Sequence, residues 1–382
     1  MIFDQMSFDQ MIFDQTRGAL FLDLSRAFET IDRSILIDIL EMNGVGGKVL
    51  NWFRTWLTDR KQYTKFNESL SEPATVLDGI PQGTPLSSVL FNMYINLIVK
   101  RIRFCEIKLF ADDCLLWIAC DDIDEALNKL NSDLERISRL FQSLRLKLNS
   151  TKTKMMIIGV ANADAYTLTI EGQQIERVEM IKYLGVVIDD RLSFKEHCDY
   201  VLKKMSKKVN FLRRIRNRLD VNTLLLLFKS LVMPHIDFCS SILFMMNQEN
   251  LHALQLIQNR AMRIILKCPR DTRISNMHQD TQLLSVRQRV NYNVLVLVFK
   301  ATKSLLPRYI SSQHAYVADV QPYALRSNQN LRLPQLLTNM GQKSFLYRGV
   351  QMFNDMVKSG INTNVLLKDF KCALCDYVKN KF

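Results

Sequence analysis

The chain has 382 residues, 48% hydrophobic and 23% charged, a balance that excludes a wholly disordered chain. Its length exceeds the roughly 250–300 residues that one hydrophobic core supports, so two or more subdomains are expected. Lys and Arg total 51 against 38 Asp and Glu, a formal net charge of +13, which points to a polyanionic partner, with nucleic acid first and a merely soluble basic protein as the bland alternative.

Asp4, Asp9 and Asp14 interrupt the N-terminus before any signal-peptide pattern develops. No stretch approaches the roughly 18 apolar residues needed to span a bilayer, so no membrane partner is expected. With 8 cysteines in so long a chain, the expectation is free thiols in a reducing, intracellular setting, nucleus or cytoplasm, with no clear targeting signal.

Residues 1–15 read MIFDQ, MSFDQ, MIFDQ, a five-residue tandem repeat far shorter than any solenoid unit and expected to be low-complexity. Ala19–Leu22 is an apolar run ending at Asp23, read as a buried strand. Residues 34–42 and 48–58 carry apolar side chains at helical spacing, and two short β pieces follow at Gln62–Phe66 and Ala74–Leu77. The loop Gly79–Gly83 comes next. Thr84-Pro85 then reads as an N-cap and first-turn proline opening a helix.

Ile107–Ala111 and Leu115–Ala119 are apolar strands with Asp112, Asp113 and Cys114 between them as a tight turn. An amphipathic helix is expected over 123–146. A strand at Lys154–Ile158, a hairpin around Glu171-Gly172 and a strand-like Lys182–Ile188 complete this half. From His197 onward apolar residues recur every three or four positions, so the pattern turns helical near residue 195. A weaker boundary lies at Cys268–Asn276, and further helices are predicted at about 285–304 and 362–381.

Transfer of a nucleotidyl group uses two divalent ions about 4 Å apart, and Mg²⁺ prefers carboxylate oxygens. Crowded carboxylates repel one another unless a cation sits among them. Asp23 at a strand end and Asp112-Asp113 at a hairpin tip have that form. An acidic turn alone is more often a solvated surface. Three surrounding stretches change the balance: Phe21-Leu22-Asp23-Leu24-Ser25-Arg26-Ala27-Phe28, Gly79-Ile80-Pro81-Gln82-Gly83-Thr84-Pro85-Leu86-Ser87 and Phe110-Ala111-Asp112-Asp113. In order and spacing they resemble the polymerase motifs of reverse transcriptases from non-LTR (LINE-type, jockey-like) retrotransposons. Arg26 and Glu29 stand where such sequences often carry Lys and Asp, and neither departure removes a metal ligand.

The resemblance implies a mixed α/β (α+β) right-hand polymerase palm followed by a mostly α-helical thumb and C-terminal region. It implies RNA-directed DNA polymerisation, with an RNA template, a DNA primer and dNTPs as partners. Two Mg²⁺ ions (Mn²⁺ as a substitute) would sit on Asp23, Asp112 and Asp113, with the Leu24 carbonyl assisting. Phe28 falls where the family places its steric gate against the ribose 2′-OH. Gln82 and Gly83 would line the nascent base pair. Leu148-Asn149-Ser150-Thr151-Lys152-Thr153 is similar to the next family motif, its Lys152 facing the pyrophosphate. Tyr183-Leu184-Gly185 resembles the primer grip.

Between Lys203 and Arg218 stand Lys203, Lys204, Lys207, Lys208, Arg213, Arg214, Arg216 and Arg218, with no acid among them. An apolar stripe runs through the same stretch, so one face can pack while the other meets phosphates. Placed after a palm, this reads as a thumb helix on the template–primer duplex. The segments around Met233-Pro234-His235-Ile236, Gln258-Asn259-Arg260-Ala261, Leu306-Pro307-Arg308-Tyr309 and Phe370-Lys371 are similar to the region after the thumb.

The organisation expected is therefore a repeat over 1–17, a palm with primer grip over 18–194, a basic thumb over 195–270 and a helical C-terminal region over 271–382. Family enzymes carry fingers and often an endonuclease domain ahead of the first aspartate. Only the repeat precedes Leu20, so a chain truncated before the palm is expected, with a catalytically impaired nucleic-acid-binding remnant as the alternative function. Cys372 and Cys375 form a lone C-x-x-C with no further ligands at zinc spacing and read as two helix-borne thiols.

Overall fold

The structure is a computed structural model that describes residues 16–160, 165–317, 330–335 and 339–382. The pentapeptide repeat of residues 1–15 lies outside them. The chain divides into two compact units, one of Gln15–Glu179 and one of Met180–Phe382.

The first unit is built on strands β1 (Thr16–Leu22), β2 (Glu106–Phe110), β3 (Asp113–Ala119), β4 (Lys154–Ile157) and β5 (Glu176–Arg177). They form one sheet in the order β5-β4-β1-β3-β2. β1 is central and antiparallel to both neighbours, with Leu22 opposite Cys114 and Phe21 opposite Leu115 and Lys154. β2 and β3 form the predicted hairpin, closed at Phe110 and Asp113. Ala111 takes a left-handed conformation in its turn (φ 53°).

Four helices accompany the sheet: α1 (Arg33–Met42), α2 (Gly47–Leu57), α3 (Pro85–Ile95) and α4 (Ile123–Ser143). Alternation along the strands puts Leu20, Leu22, Leu116, Ile118, Met155 and Ile157 into one apolar cluster with Leu36 and Leu40 of α1, Phe91 of α3 and Leu130, Leu134 and Ile137 of α4. Each such side chain contributes roughly 1.5–3 kcal/mol by leaving water. A Cβ at Gly18 of β1 would meet Leu130 Cδ1 at 2.6 Å, so the leucine side chain would have to shift to admit one. The pieces expected at Gln62–Phe66 and Ala74–Leu77 are two short ribbons, Lys61–Gln62 with Ala74–Thr75 and Lys65–Phe66 with Ser69–Leu70.

One buried carboxylate fixes the approach to the β2–β3 hairpin. Asp133 on α4 is fully buried. It accepts hydrogen bonds from the backbone N–H groups of Arg103 (3.1 and 3.2 Å), Phe104 (2.8 Å) and Cys105 (2.8 Å). Burial and the neighbouring Asp133 push the Cys105 thiol well above its ordinary range, so it stays protonated.

The second unit opens with strands β6 (Met180–Tyr183) and β7 (Val186–Asp189), paired as a hairpin. The single strand expected over Lys182–Ile188 is thus two. The chain reverses because Leu184 and Gly185 both take positive φ, 46° and 87°, as a two-residue hairpin turn requires.

Helices then dominate: α5 (Lys195–Ile215), α6 (Val221–Leu231), α7 (Gln248–Leu266), α8 (Ile274–Thr281), α9 (Val286–Thr302), α10 (Val350–Lys358) and α11 (Leu367–Lys381). α5 packs against β7 and α7, so the hairpin travels with the helical unit although the composition changes only near residue 195. α9 is buried nearly all round, Val294 to Phe299 without interruption, and Phe299 stacks on Phe370 of α11 at 3.9 Å. Arg289 of α9 donates from Nε and Nη2 to Asp237 at 2.7 and 2.9 Å, tying α9 to the short helix Pro234–Asp237.

None of the eight cysteines forms a disulfide, and Cys372 and Cys375 sit on α11 as expected. Among the described residues no helix is long and apolar enough to cross a membrane.

Candidate active site and nucleic-acid interface

A cleft of about 790 Å³ opens in the first unit where β1 ends. Asp23, Leu24, Phe28, Gln82, Gly83, Asp112 and Lys152 line it, so residues from four separated sequence stretches converge. Asp113, the next residue along from Asp112, starts β3 and is not among the lining residues.

The backbone beyond β1 is held by the 147–153 segment. Ser25 N–H donates to the Lys147 carbonyl at 2.9 Å, and Asn149 N–H donates to the Asp23 carbonyl at 2.9 Å. Asp23 N–H donates to Thr153 Oγ1 at 3.3 Å. The carboxylate is thereby fixed at a strand end. Its Oδ2 is buried and accepts no hydrogen bond among the described residues. The Lys152 ammonium stands 3.8 Å from that oxygen, at the outer edge of an ion pair, and is largely exposed. This buried oxygen has only the long Lys152 pair to offset its desolvation, and a hard cation is a partner that would offset the rest.

Phe28 stacks on Phe91 of α3, ring centroids 4.4 Å apart and planes 22° apart. Phe91 is fully buried and Phe28 only partly so, so one face of Phe28 is backed by the core while the residue borders the cleft. Arg26 also lines the cleft, making a surface pair with Glu29 at 3.9 Å.

The Gly79–Ser87 loop reaches the cleft through Gln82, Gly83, Thr84, Pro85 and Ser87. Gly79 is buried with φ +79°, and a Cβ there would lie 2.7 Å from the Glu29 carbonyl oxygen. Both the conformation and the backbone contact demand glycine. Gly79→Ala is expected to cost about 2–4 kcal/mol and to shift the Gln82 wall; a denaturation midpoint equal to wild type would refute this.

Thr84 caps α3, accepting from Ser87 N–H at 3.2 Å with Pro85 in the first turn. The Ser87 hydroxyl donates back to the Pro81 carbonyl, closing the loop on its own helix.

Arg33 does the rest of the positioning, and nothing in the sequence pattern announced it. Its Nε donates to the Gly79 carbonyl at 2.9 Å, its Nη1 to those of Leu57 and Val76 at 2.8 Å each, and its Nη2 to Asp78 at 3.0 Å. A planar five-donor group satisfies four carbonyls that a lysine would not reach together.

In the second unit, α5 buries Val201, Met205, Val209 and Leu212. Lys203, Lys204, Lys207, Lys208, Arg213 and Arg214 all lie exposed. Phe211 is also exposed, at 46%, an aromatic set among the cations. Tyr183 is buried in β6, and Gly185 forms the turn, where a Cβ would lie 3.2 Å from the Phe238 ring. His197 is buried at the start of α5 and accepts at Nδ1 from the Val187 N–H at 3.3 Å. Burial, with a contribution from Lys204, pushes its pKa down to about 4, so it is neutral at pH 7. Among the described residues no group of three or more His, Cys, Asp or Glu side chains is gathered to hold a metal.

Comparison with known proteins agrees with the geometry. Residues 1–188 match the family of reverse transcriptases (RNA-dependent DNA polymerases). The chain is 25% identical over 285 residues to the probable RNA-directed DNA polymerase from transposon BS of Drosophila melanogaster. It is 23% identical over 280 residues to that from the X-element of the same species. It is 20% identical over 283 residues to the RNA-directed DNA polymerase from mobile element jockey of Drosophila funebris. Each alignment covers 72% of this chain and 31% of the relative, so the chain spans about a third of the length of these curated relatives. Among solved structures, a telomerase from Candida albicans in complex with a fragment of telomeric RNA aligns with 81% of this chain and 52% of its own, at a TM-score of 0.33 and 11% identity. Residues 1–188 thus belong to the reverse transcriptase family, and the chain is a relative of the RNA-directed DNA polymerases of jockey-like non-LTR retrotransposons.

Proposed function

We propose that this chain acts as an RNA-directed DNA polymerase of a mobile element, adding dNTPs to a primer 3′-hydroxyl in the Asp23–Asp112 cleft. The observation that carries the reading is the convergence of Asp23, Asp112, Phe28, Gln82 and Lys152 on one cleft, with Asp23 Oδ2 buried and lacking a hydrogen-bond donor. An all-oxygen donor set with one unsatisfied oxygen suits a divalent ion such as Mg²⁺, or Mn²⁺ in its place. Asp23 and Asp112 would hold it, with Asp113, outside the cleft lining here, as the third carboxylate of the motif. When bound, such ions neutralise charge on the attacking and leaving oxygens.

The remaining roles fall to the chain itself. Phe28, backed by Phe91, blocks a ribose 2′-hydroxyl and so selects deoxynucleotides by exclusion. Gln82 and Gly83 present the wall against which the new base pair forms, and glycine there admits a close backbone approach. The Leu24 carbonyl and Lys152 border the triphosphate, Lys152 neutralising the departing pyrophosphate. Tyr183 and Gly185 of the hairpin steady the primer, and the exposed cations of α5 bind backbone phosphates of the RNA template and DNA primer.

Primer extension tests this reading, on an RNA template with a DNA primer, dNTPs and Mg²⁺. Wild type is expected to extend and Asp112→Ala/Asp113→Ala is not. Equal extension by both would overturn the site. Failure of both, with duplex binding retained, would favour a nucleic-acid-binding remnant.

A further inference from the structure

The hairpin and α5 bring two ammonium groups to one aromatic ring. Lys182 lies exposed on β6, and its Nζ stands 4.8 Å from the centroid of the Tyr200 ring. Lys204, one turn after Tyr200 on α5 and also exposed, sets its Nζ 4.5 Å from the same centroid. Among the described residues neither lysine lies in a salt bridge. The neighbourhood is cationic as well: Lys203, Lys207 and Lys208 are exposed on the same helix. His235, near Lys204 and Lys208, carries no negative charge in either protonation state and so supplies no compensating group.

Attraction to the ring face draws each ammonium inward. The neighbouring Lys204 and Lys182 ammonium groups hold the phenol of Tyr200 below its usual range, so both lysines act on this one side chain. Like charges gathered this way repel unless an anion lies between them. A phosphodiester meets that need: one negative charge shared by two free oxygens, each able to accept from one ammonium.

We propose that Lys182, Tyr200 and Lys204 form a clamp for a single backbone phosphodiester of bound nucleic acid, with Tyr200 as the positioning residue. The inference rests on the nucleic-acid reading above and adds to it a specific phosphate contact that joins the hairpin to α5.

The test is the salt dependence of binding to a short fluorescein-labelled RNA–DNA hybrid, followed by anisotropy between about 50 and 200 mM KCl. One phosphate contact contributes about 0.9 to the slope of log K against log salt. Lys182→Gln and Lys204→Gln are each expected to lower the slope by up to that amount and to weaken binding about 3–10-fold. The double variant should lose no more slope than one phosphate accounts for, because both lysines serve the same group. Lys368→Gln on α11, an exposed charge-matched control, should leave the slope unchanged.

Tyr200→Leu removes no charge yet is expected to weaken binding, and Tyr200→Phe should lie closer to wild type. A double variant that loses two phosphates' worth of slope, or none, would overturn the clamp. The primer-extension result separates the readings. A wild-type chain that extends primers while the lysine variants bind normally overturns the clamp alone. One that shows the clamp pattern without extending overturns the polymerase reading alone.

Discussion

Asp23→Asn is expected to lower dNTP incorporation by about 10²–10⁴-fold, since a ligand to a catalytic ion is worth several kcal/mol of transition-state stabilisation and each 1.4 kcal/mol is tenfold. Stability should move little or in the opposite sense. The Asp23 carboxylate buries Oδ2 with no donor, and the Lys152 pair at 3.8 Å involves a largely exposed ammonium, worth at most about 1 kcal/mol. A neutral isostere therefore relieves a desolvation cost while losing a weak pair. Single-turnover extension and thermal melting, each with and without Mg²⁺, read the two effects. Mg²⁺ should raise the melting temperature of wild type and not of the variant. An Asp23→Asn chain within tenfold of the wild-type rate would remove Asp23 from the site.

Asp133→Ala is expected to be the most damaging single change to stability in the first unit, at about 3–5 kcal/mol, because it strands three buried or part-buried backbone donors around a fully buried position. For a unit of this size the loss corresponds to a fall of roughly 6–20 °C in melting temperature. The effect has a clean optical reporter. The chain has three tryptophans, Trp52, Trp56 and Trp117, and all lie within the first unit. Their fluorescence follows this unit without a signal from the other. A midpoint shift of less than about 1 kcal/mol would mean that water takes over the role of the carboxylate.

The sequence made these sites legible to different degrees. Asp23 and Asp112 were readable because they adjoin apolar strands whose alternation sets the sheet, and because the flanking motifs are distinctive. Thr84-Pro85 announced its helix through capping chemistry alone. The hairpin at Leu184-Gly185 was less visible: its two strands are short, and a leucine in left-handed conformation is a rare turn residue, so the segment read as one strand. Arg33 was invisible. Its four acceptors are backbone carbonyls spread from Leu57 to Gly79, and a carbonyl has no side-chain signature. Tyr200 and Lys182 escaped notice for a similar reason, since their meeting depends on how the hairpin lies against α5.

The grip of Arg33 has a consequence for how this domain tolerates change. By holding Leu57 at one side and Val76 at the other, the guanidinium brackets the excursion of residues 58–75, whose two ribbons are exposed at every strand position. The chain leaves and returns through one fixed gatepost. Added length farther out costs only slowly more closure entropy, whereas Arg60, Lys61 and Gln62 border a cavity with Gly79–Gln82 and so stay coupled to that loop. Residues 67–68, exposed at the tip of the outer ribbon and outside the cleft lining, are accordingly the natural port for inserting a tag or an added module.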